Sequence, residues 1–408
     1  MPFFIKQIHV NQVLHLKNFS INLGNTPKHL LITGQNGSGK TQLLEAIAEH
    51  LLMICKDSSA QRISLENAII LWTNNLISAR TESEKKNAER TLDTLKANKE
   101  RYFGKVQIDF NDAFAMTDAF NKNEFILAFY RTFRNPKFVE IRSIEKPDLS
   151  QPDNFNHNKV DQFLSFLANS KVQAALARNE GNNQDAENFN SWFEKFTIVL
   201  RNLYNDPGLR LEFNYSDYSF FINSFGKRFK FTQLSAGYAA ALDIIADLIL
   251  RMQKNNSITS AYNMSGIAVI DEPETHLHLA LQRQIMPILT SLFPNIQFIV
   301  ATHSPFVLSS LPNAVAYDLE QRKELTDLTE YSYSALAEGY FGVDMESGDL
   351  SARINRLETL VAKEVLNEAE STELKNLLDD LETVSEAAAP AIKGRILEQK
   401  RKLLSRRT

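Results

Sequence analysis

The sequence predicts an α/β fold in which a mixed central sheet is flanked by helices, and three observations carry that prediction. Leu30-Leu31-Ile32, Ile267-Ala268-Val269-Ile270 and Ile296-Gln297-Phe298-Ile299-Val300 are short apolar runs of the kind found in strands buried on both faces. Two of them precede segments of helical periodicity, Leu43, Leu44, Ile47, Leu51 and Leu52 after the first, and Leu277, Leu281, Ile285, Ile288, Leu289 and Leu292 after the second. Between the first strand and its helix stands Gly34-Gln35-Asn36-Gly37-Ser38-Gly39-Lys40-Thr41, the spacing G-x-x-x-x-G-K-T.

That loop is a candidate triphosphate cradle. Its glycines let successive backbone N–H groups turn inward around phosphate oxygens, Lys40 supplies a point charge for the outer phosphates, and Thr41 offers a hydroxyl to Mg²⁺. The helix that opens at Thr41 points its positive end at the same place. Gly34, Asn36, Gly37, Ser38, Gly39, Lys40, Thr41 and Gln42 are therefore the candidate nucleotide-binding residues, with Mg-ATP as the expected ligand.

Composition narrows the class. The chain has 408 residues, 43% of them apolar and 23% charged, enough for one large domain with appendages or for two domains. Cys55 is the single cysteine and cannot form an internal disulfide, no charged-then-apolar leader precedes Phe3, and no apolar run approaches the length that spans a bilayer. These features make the expected location cytoplasmic and exclude a membrane-spanning helix. A net charge of -4 gives no global attraction to nucleic acid, so any DNA contact has to come from local basic patches.

Along the chain, alternating residues from Phe4 to Val10 and from Leu14 to Leu23 read as strands, with Gly24-Asn25 and Pro27 as turns before the cradle strand. Residues 61–101 read as wholly helical. From Arg80 to Arg101 the segment is highly charged with a thin stripe, Ala88, Leu92 and Leu95, which suits either a short projecting arm or a solvated helix on the main body. Strands are expected at Lys105–Phe110, Phe125–Tyr130 and Phe138–Ile144, helix from Asp161 to Tyr204 broken at Asn179–Asn183, and half-buried strands at Leu209–Tyr215, Phe220–Asn223 and Arg228–Phe231.

Three further motifs fall on this scaffold. Leu234-Ser235-Ala236-Gly237-Tyr238 leads into an apolar helix that Ser235 can cap. The Ile267–Ile270 strand ends in Asp271-Glu272-Pro273-Glu274, and carboxylates at the tip of a buried strand are costly unless a cation or a catalytic task holds them there. With a triphosphate cradle beside it, such a pair has Asp271 in a Mg²⁺-linked position and Glu272 placed to orient and deprotonate an attacking water. The Ile296–Val300 strand ends in Ala301-Thr302-His303-Ser304-Pro305, and parallel strands deliver His303 to the same edge as Asp271 and Lys40, within reach of a terminal phosphate. Pro287 is expected to kink the intervening helix.

In this order the four motifs resemble the ATP-binding-cassette ATPase head, in its chromosome-maintenance and DNA-repair branch, over roughly Phe4 to Tyr317. The resemblance implies that Gly34–Thr41 is the Walker A loop, Leu234–Tyr238 the signature, Ile267–Glu272 the Walker B strand and His303 the switch histidine. It further implies a head-to-tail nucleotide sandwich in which Ser235 and Gly237 of one copy reach the phosphates held by Lys40 of another. Two residue sets depart from the pattern. Tyr238 stands where Gln or Glu is usual, and His276-Leu277-His278 replaces a Leu-Asp pair used for dimer contact. No glutamine marks the family's glutamine loop, for which Arg131 and Arg134 are the nearest polar candidates.

Asp-Glu-Pro-Glu-Thr-His-Leu-His followed by Ala-Thr-His-Ser-Pro is similar to RecF-like and overcoming-lysogenization-defect ATPases, but the tail after Leu319 shows no Toprim nuclease pattern and runs into helices through Leu357, Leu360, Val361, Leu374, Leu377, Leu378 and Leu381. The chain is thus expected not to cut DNA itself. Tyr331–Ser334 and Glu338–Asp344 resemble the tail of PtuA-type ATPases of anti-phage systems. That resemblance implies a slowly hydrolysing switch ATPase, a homodimer or higher oligomer, beside a separately encoded HNH nuclease; the competing readings are a RecF-like ATPase that clamps DNA in repair or recombination and, least supported, a transporter motor. The expected organisation is a discontinuous head over 1–345, with helical insertions near 57–104 and 158–205, and a helical region over 346–408 for partner or oligomer contacts. Lys393–Thr408 carries seven Lys or Arg against Glu398 alone, and Arg131, Arg134 and Lys137 interleave with aromatics. Both are candidate DNA patches, and a solvated helix end or alternating strand faces explain them equally well.

Overall fold

Two antiparallel strands open the chain, β1 (Ile5–Val13) and β2 (Leu16–Asn22), because Ile8, Val10, Leu16 and Ile21 share one buried face. In the computed structural model, which describes residues 1–56, 62–134, 136–141, 159–253, 262–325, 328, 330, 336, 348–363, 366–382 and 390–405, these are followed by β3 (His29–Thr33) and by α1 (Lys40–Lys56), which begins at the lysine of the glycine loop. The segment expected to be wholly helical forms two helices, α2 (Arg62–Ser78) and α3 (Glu82–Phe103), packed on each other. The break has a local cause: the Thr81 hydroxyl accepts the Glu84 N–H, and the Glu84 carboxylate accepts the Thr81 N–H, a capping box that starts a new helix.

β4 (Val106–Phe110) pairs antiparallel with β1, giving a three-stranded sheet ordered β2-β1-β4. After α4 (Ala113–Asn121) comes β5 (Phe125–Tyr130), buried at every position. The strand expected at Phe138–Ile144 is not formed over its described part, residues 138–141. Phe138 is instead an irregular-segment anchor between the Phe163 and Phe231 rings, at centroid distances of 6.3 and 5.7 Å. Residues 142–144 lie outside the described residues. The helical insertion follows as α5 (Phe163–Asn179) and α6 (Asn183–Tyr204), then β6 (Arg210–Phe213), β7 (Phe220–Ser224) and β8 (Lys227–Lys230) form an antiparallel meander.

The central sheet is completed by the second half of the chain. α7 (Ala236–Arg251) precedes β9 (Ser265–Asp271), and α8 (Leu279–Leu292, with Pro287 inside it) precedes β10 (Ile296–Ala301). The one-turn α9 (Pro305–Leu308) leads to β11 (Ala314–Asp318) and β12 (Lys323–Leu325). Six strands are ordered β12-β11-β3-β10-β9-β5, all parallel except β12. β3, β9, β10 and β5 are wholly buried, as strands covered on both faces must be.

α1 joins the two sheets. Its Leu43, Leu44, Ile47 and Leu51 are buried in one cluster with Ile8 and Val10 of the antiparallel sheet and Ile267, Val269 and Ile299 of the central one. Gln297, with no exposed surface in the middle of β10, ties the sheets again: it accepts the Ile5 N–H at 2.7 Å and donates to the Lys28 and Ile5 carbonyls at 2.7 and 3.2 Å. A polar side chain in an otherwise apolar strand is tolerated because its donors and acceptor are all used.

The chain divides into two compact units, Met1–Tyr331 and Ser332–Thr408. Within the second, helices Gly348–Ala362, Glu368–Glu382 and Pro390–Ser405 bury Ile354, Leu357, Val361, Leu381 and Ile396 against one another. Tyr331–Asp344, which carries the tail resemblance, lies outside the described residues apart from Leu336. Among the described residues no helix is long and apolar enough to cross a membrane.

Candidate functional site

Parallel strands of similar length end together, so the tips of β3, β10, β9 and β5 place Gly34, Thr302-His303, Asp271-Glu272 and Arg131-Thr132 at one rim of the sheet. Register fixes this: Ala301 pairs with Asp271 and with Ile32, and Tyr130 with Ile270.

The loop between β3 and α1 has the backbone that a phosphate cradle requires. Gly34 and Gly39 have φ of 146° and 93°, and a Cβ on Gly39 would stand 3.1 Å from Leu16 Cδ1 and 3.3 Å from His15 Cε1, so a larger residue is opposed both by conformation and by the β1–β2 hairpin. Lys40 is 5% exposed and its ammonium spans the loop, donating to the Gly34 carbonyl at 2.8 Å, the Gln35 carbonyl at 3.0 Å and Ser38 Oγ at 3.4 Å. Burial lowers its pKa, and Glu272, Asp271, Glu274 and Asp318 act in the opposite direction. Asn36 and Gln42 are exposed on the loop and the first helical turn.

Asp271 is the centre of the rim. Its Oδ2 accepts the Thr41 hydroxyl at 2.8 Å and the Thr132 hydroxyl at 2.7 Å, while Oδ1 is buried with no hydrogen-bond partner. A buried carboxylate oxygen left unpaired beside two hydroxyls costs several kcal/mol unless a cation meets it, so the donor set fits Mg²⁺, an ion that takes few protein oxygens and completes its shell with water and phosphate. That reliance on phosphate agrees with the finding that no group of three or more His, Cys, Asp or Glu gathers for a metal among the described residues.

Glu272 adopts a left-handed φ of 47°, which costs a non-glycine residue about 1–2 kcal/mol. The turn is held by Arg134, whose buried guanidinium donates to the Asp271 and Glu272 carbonyls at 3.1 and 3.0 Å. The Glu272 carboxylate consequently faces His303, Oε1 to Nε2 3.6 Å, and its Oε2 accepts the Thr275 hydroxyl at 3.3 Å. Burial, then the Lys40 charge, lowers the His303 pKa, so the imidazole is neutral near pH 7. Beneath it, Glu274 Oε1 accepts the Thr302 hydroxyl at 2.6 Å and the His303 and Ser304 N–H groups at 2.8 and 3.1 Å, fastening the tip of β10 to the turn after β9. Burial raises the Glu274 pKa and those hydrogen bonds lower it, burial being the larger effect.

The structure thus brings Lys40, Thr41, Asp271, Glu272 and His303 together. Ser235 and Gly237 lie at the start of α7. Ser235 occupies the N-cap position but its side chain makes no capping bond and is exposed. Gly237 is needed where it is, since a Cβ there would lie 2.7 Å from the His276 carbonyl oxygen. The two departures from the family pattern prove to be neighbours: the Tyr238 ring stacks on Tyr204 with centroids 4.1 Å apart and meets His278 edge-on at 5.8 Å. Of the two candidates for the glutamine-loop position, Arg131 pairs with Glu45 at 3.1 Å and Arg134 reaches the Asp271 carbonyl; Thr132, not among the candidates, reaches the Asp271 carboxylate. Thr132 and Glu274 carry no motif of their own. Thr132's only signal is its place two residues beyond a wholly apolar strand, and Glu274's is the second acid of Asp-Glu-Pro-Glu.

A parallel sheet with this glycine loop, this pair of acids and this histidine at one rim defines a P-loop NTPase. Residues 30–309 match the family described as "AAA domain, putative AbiEii toxin, Type IV TA system", and the chain belongs to that family. It is similar to the Septu protein PtuA of Bacillus mycoides (strain KBAB4), 23% identical over 393 residues that make up 93% of this chain and 50% of that protein, so it spans about half that relative's length. The Septu protein PtuA of Bacillus thuringiensis is 24% identical over 315 residues, 75% of this chain and 73% of that one. The Retron Vc95 probable ATPase of Vibrio cholerae serotype O1 biovar El Tor is 30% identical over 149 residues, 34% of this chain and 29% of that one.

Proposed function

We propose that the chain binds and slowly hydrolyses Mg-ATP, pairs head to tail with a second copy through the nucleotide, and by that closure controls a separately encoded nuclease in anti-phage defence. The carrying observation is Asp271 beside Lys40, its Oδ2 held by the Thr41 and Thr132 hydroxyls and its buried Oδ1 left without a partner, with Glu272 and His303 facing each other at 3.6 Å. In this reading Gly34, Asn36, Gly37, Ser38, Gly39, Lys40, Thr41 and Gln42 bind the triphosphate. Thr41 and Asp271 hold Mg²⁺, which supplies charge neutralisation on the phosphates. Glu272 orients a water and takes its proton, and neutral His303 donates to the terminal phosphate. The PtuA and retron ATPase relatives support the defence setting, with an HNH nuclease as the partner and the C-terminal helices as the surface for it or for oligomerisation.

The exposure of Ser235 at the start of α7 supports the head-to-tail arrangement, because it leaves the residue open to a second copy. Ser235→Arg is expected to bind Mg-ATP with an affinity within about threefold of the parent while losing ATP-dependent association, since a bulky cation blocks the interface without touching Lys40. Calorimetric titration and sedimentation with and without Mg-ATP check both arms. A variant that still associates on adding ATP sinks the trans role, and absence of ATP uptake by the unaltered chain sinks the whole reading.

Arg134 is expected to act on turnover through Glu272. Arg134→Met leaves the Asp271 and Glu272 carbonyls buried without donors and releases the left-handed turn. The expected result is turnover lowered about tenfold, ~1.4 kcal/mol in the barrier, with ATP affinity changed by less than about threefold. Steady-state hydrolysis set against equilibrium binding tests it; equal losses in both would make Arg134 a brace for the fold.

A further inference from the structure

Gln282, on the first turn of α8, belongs to none of the nucleotide motifs, yet its amide is used at both ends. Its Oε1 accepts the Ser304 hydroxyl at 2.7 Å, and its Nε2 donates to the Leu277 carbonyl at 2.9 Å. Ser304 follows His303 directly, and its N–H is already held by Glu274 Oε1 and by Thr302 Oγ1 at 3.1 and 3.0 Å. Leu277 is the middle of the His276–His278 turn. That turn is set by a left-handed His276, φ 69°, whose carbonyl oxygen lies 2.7 Å from the place a Cβ on Gly237 would take.

One side chain therefore bridges the histidine loop, which faces the expected terminal phosphate, and the turn that packs against the Ser235–Gly237 segment. The bridge demands an amide. Ser304 Oγ also accepts the Phe306 N–H at 3.2 Å, so its own proton is directed to Gln282, and the Leu277 carbonyl needs a donor. Only a group offering an acceptor and a donor a few ångströms apart serves both, which glutamate and lysine cannot.

We propose that Gln282 is a positioning residue that makes the Thr302–Ser304 loop and the His276–His278 turn move as one, passing the state of the nucleotide at Lys40 to the face that meets a second copy. This rests on the head-to-tail reading and names its coupling element.

The test uses the full chain carrying Glu272→Gln, so that bound ATP persists, with Gln282→Ala and Gln282→Glu added separately. Mant-ATP binding, thermal melting and sedimentation over a range of protein concentrations are measured for each. Both added variants are expected to bind mant-ATP within about twofold of the parent and to melt with it, while ATP-dependent association weakens by about tenfold or more. Gln282→Glu keeps the Ser304 bond and the side-chain length, so its loss of association isolates the donor to Leu277. Association at the parent's concentration dependence in either variant overturns the proposal, as does a fall in ATP binding or melting temperature that matches the fall in association. If the Gln282-intact parent does not associate with ATP, the head-to-tail reading fails first, and that result is separate from either variant's.

Discussion

Glu272→Gln is expected to bind Mg-ATP as tightly as the parent or slightly more tightly and to hydrolyse it at least about a hundredfold more slowly, the usual size of a lost general base. The amide has the shape of the carboxylate, so the Thr275 hydroxyl at 3.3 Å and the backbone grip of Arg134 on the Asp271 and Glu272 carbonyls are kept. What disappears is the proton acceptor. Glu272 is also the largest of the negative charges acting on Lys40, so its removal lessens the repulsion that an incoming triphosphate meets. The 3.6 Å between Glu272 Oε1 and His303 Nε2 exceeds a hydrogen bond, and with His303 held neutral by burial the pair is no ion pair near pH 7. Two side chains facing each other across that distance can each serve a ligand atom without first breaking a bond. Quench-flow hydrolysis with calorimetric binding measures the split, and ATP-bound assemblies are expected to accumulate. Unchanged turnover would move the base to another residue and leave the left-handed turn at Glu272 without a function.

How much of this was legible in the sequence depends on whether a residue's partners are local. The cradle, Asp271, Glu272 and His303 could be read because each follows an apolar strand, and parallel strands end at one rim. The order of the central sheet, β12-β11-β3-β10-β9-β5, was not legible, since pairings such as that of Ala314 with His29 join residues far apart in the chain and leave no local mark. Gln297 sits in a run read as a buried strand, and nothing in that run marks it as the tie between the sheets. The helix break at Thr81 had its signal in Thr81 and Glu84, a capping box masked by an otherwise continuous charged periodicity. Phe138 misled in the opposite direction: its run reads as a strand, while the Phe163 and Phe231 rings hold it in irregular backbone. Thr132, Arg134, Glu274 and Gln282 act through main-chain groups or through other side chains rather than on a ligand, and spacing along the chain does not encode that.

Lys40→Ala is expected to abolish measurable ATP uptake, a loss of at least about a hundredfold in affinity, because in the proposed reading the ammonium gives phosphate charge-assisted hydrogen bonds that no neighbour replaces. The same ammonium bonds the Gly34 and Gln35 carbonyls and Ser38 Oγ, so the substitution removes a brace from the loop as well as a charge. The two effects separate by measurement. Loss of the brace lowers the melting temperature of the nucleotide-free chain, by about 1 °C per kcal/mol in a chain of 408 residues. Loss of the charge shows only when ATP is added, as the disappearance of the ligand-induced rise in melting temperature that a binding parent must display. Lys40→Arg sharpens the distinction: a guanidinium keeps the positive charge but is too long and planar for a pocket bounded by the Gly34 carbonyl at 2.8 Å, so it is expected to fail in ATP uptake despite its charge. Full ATP uptake by Lys40→Ala would show that phosphate is bound elsewhere, and the Thr41–Asp271–Thr132 cluster would then be a buried polar network that serves the fold alone.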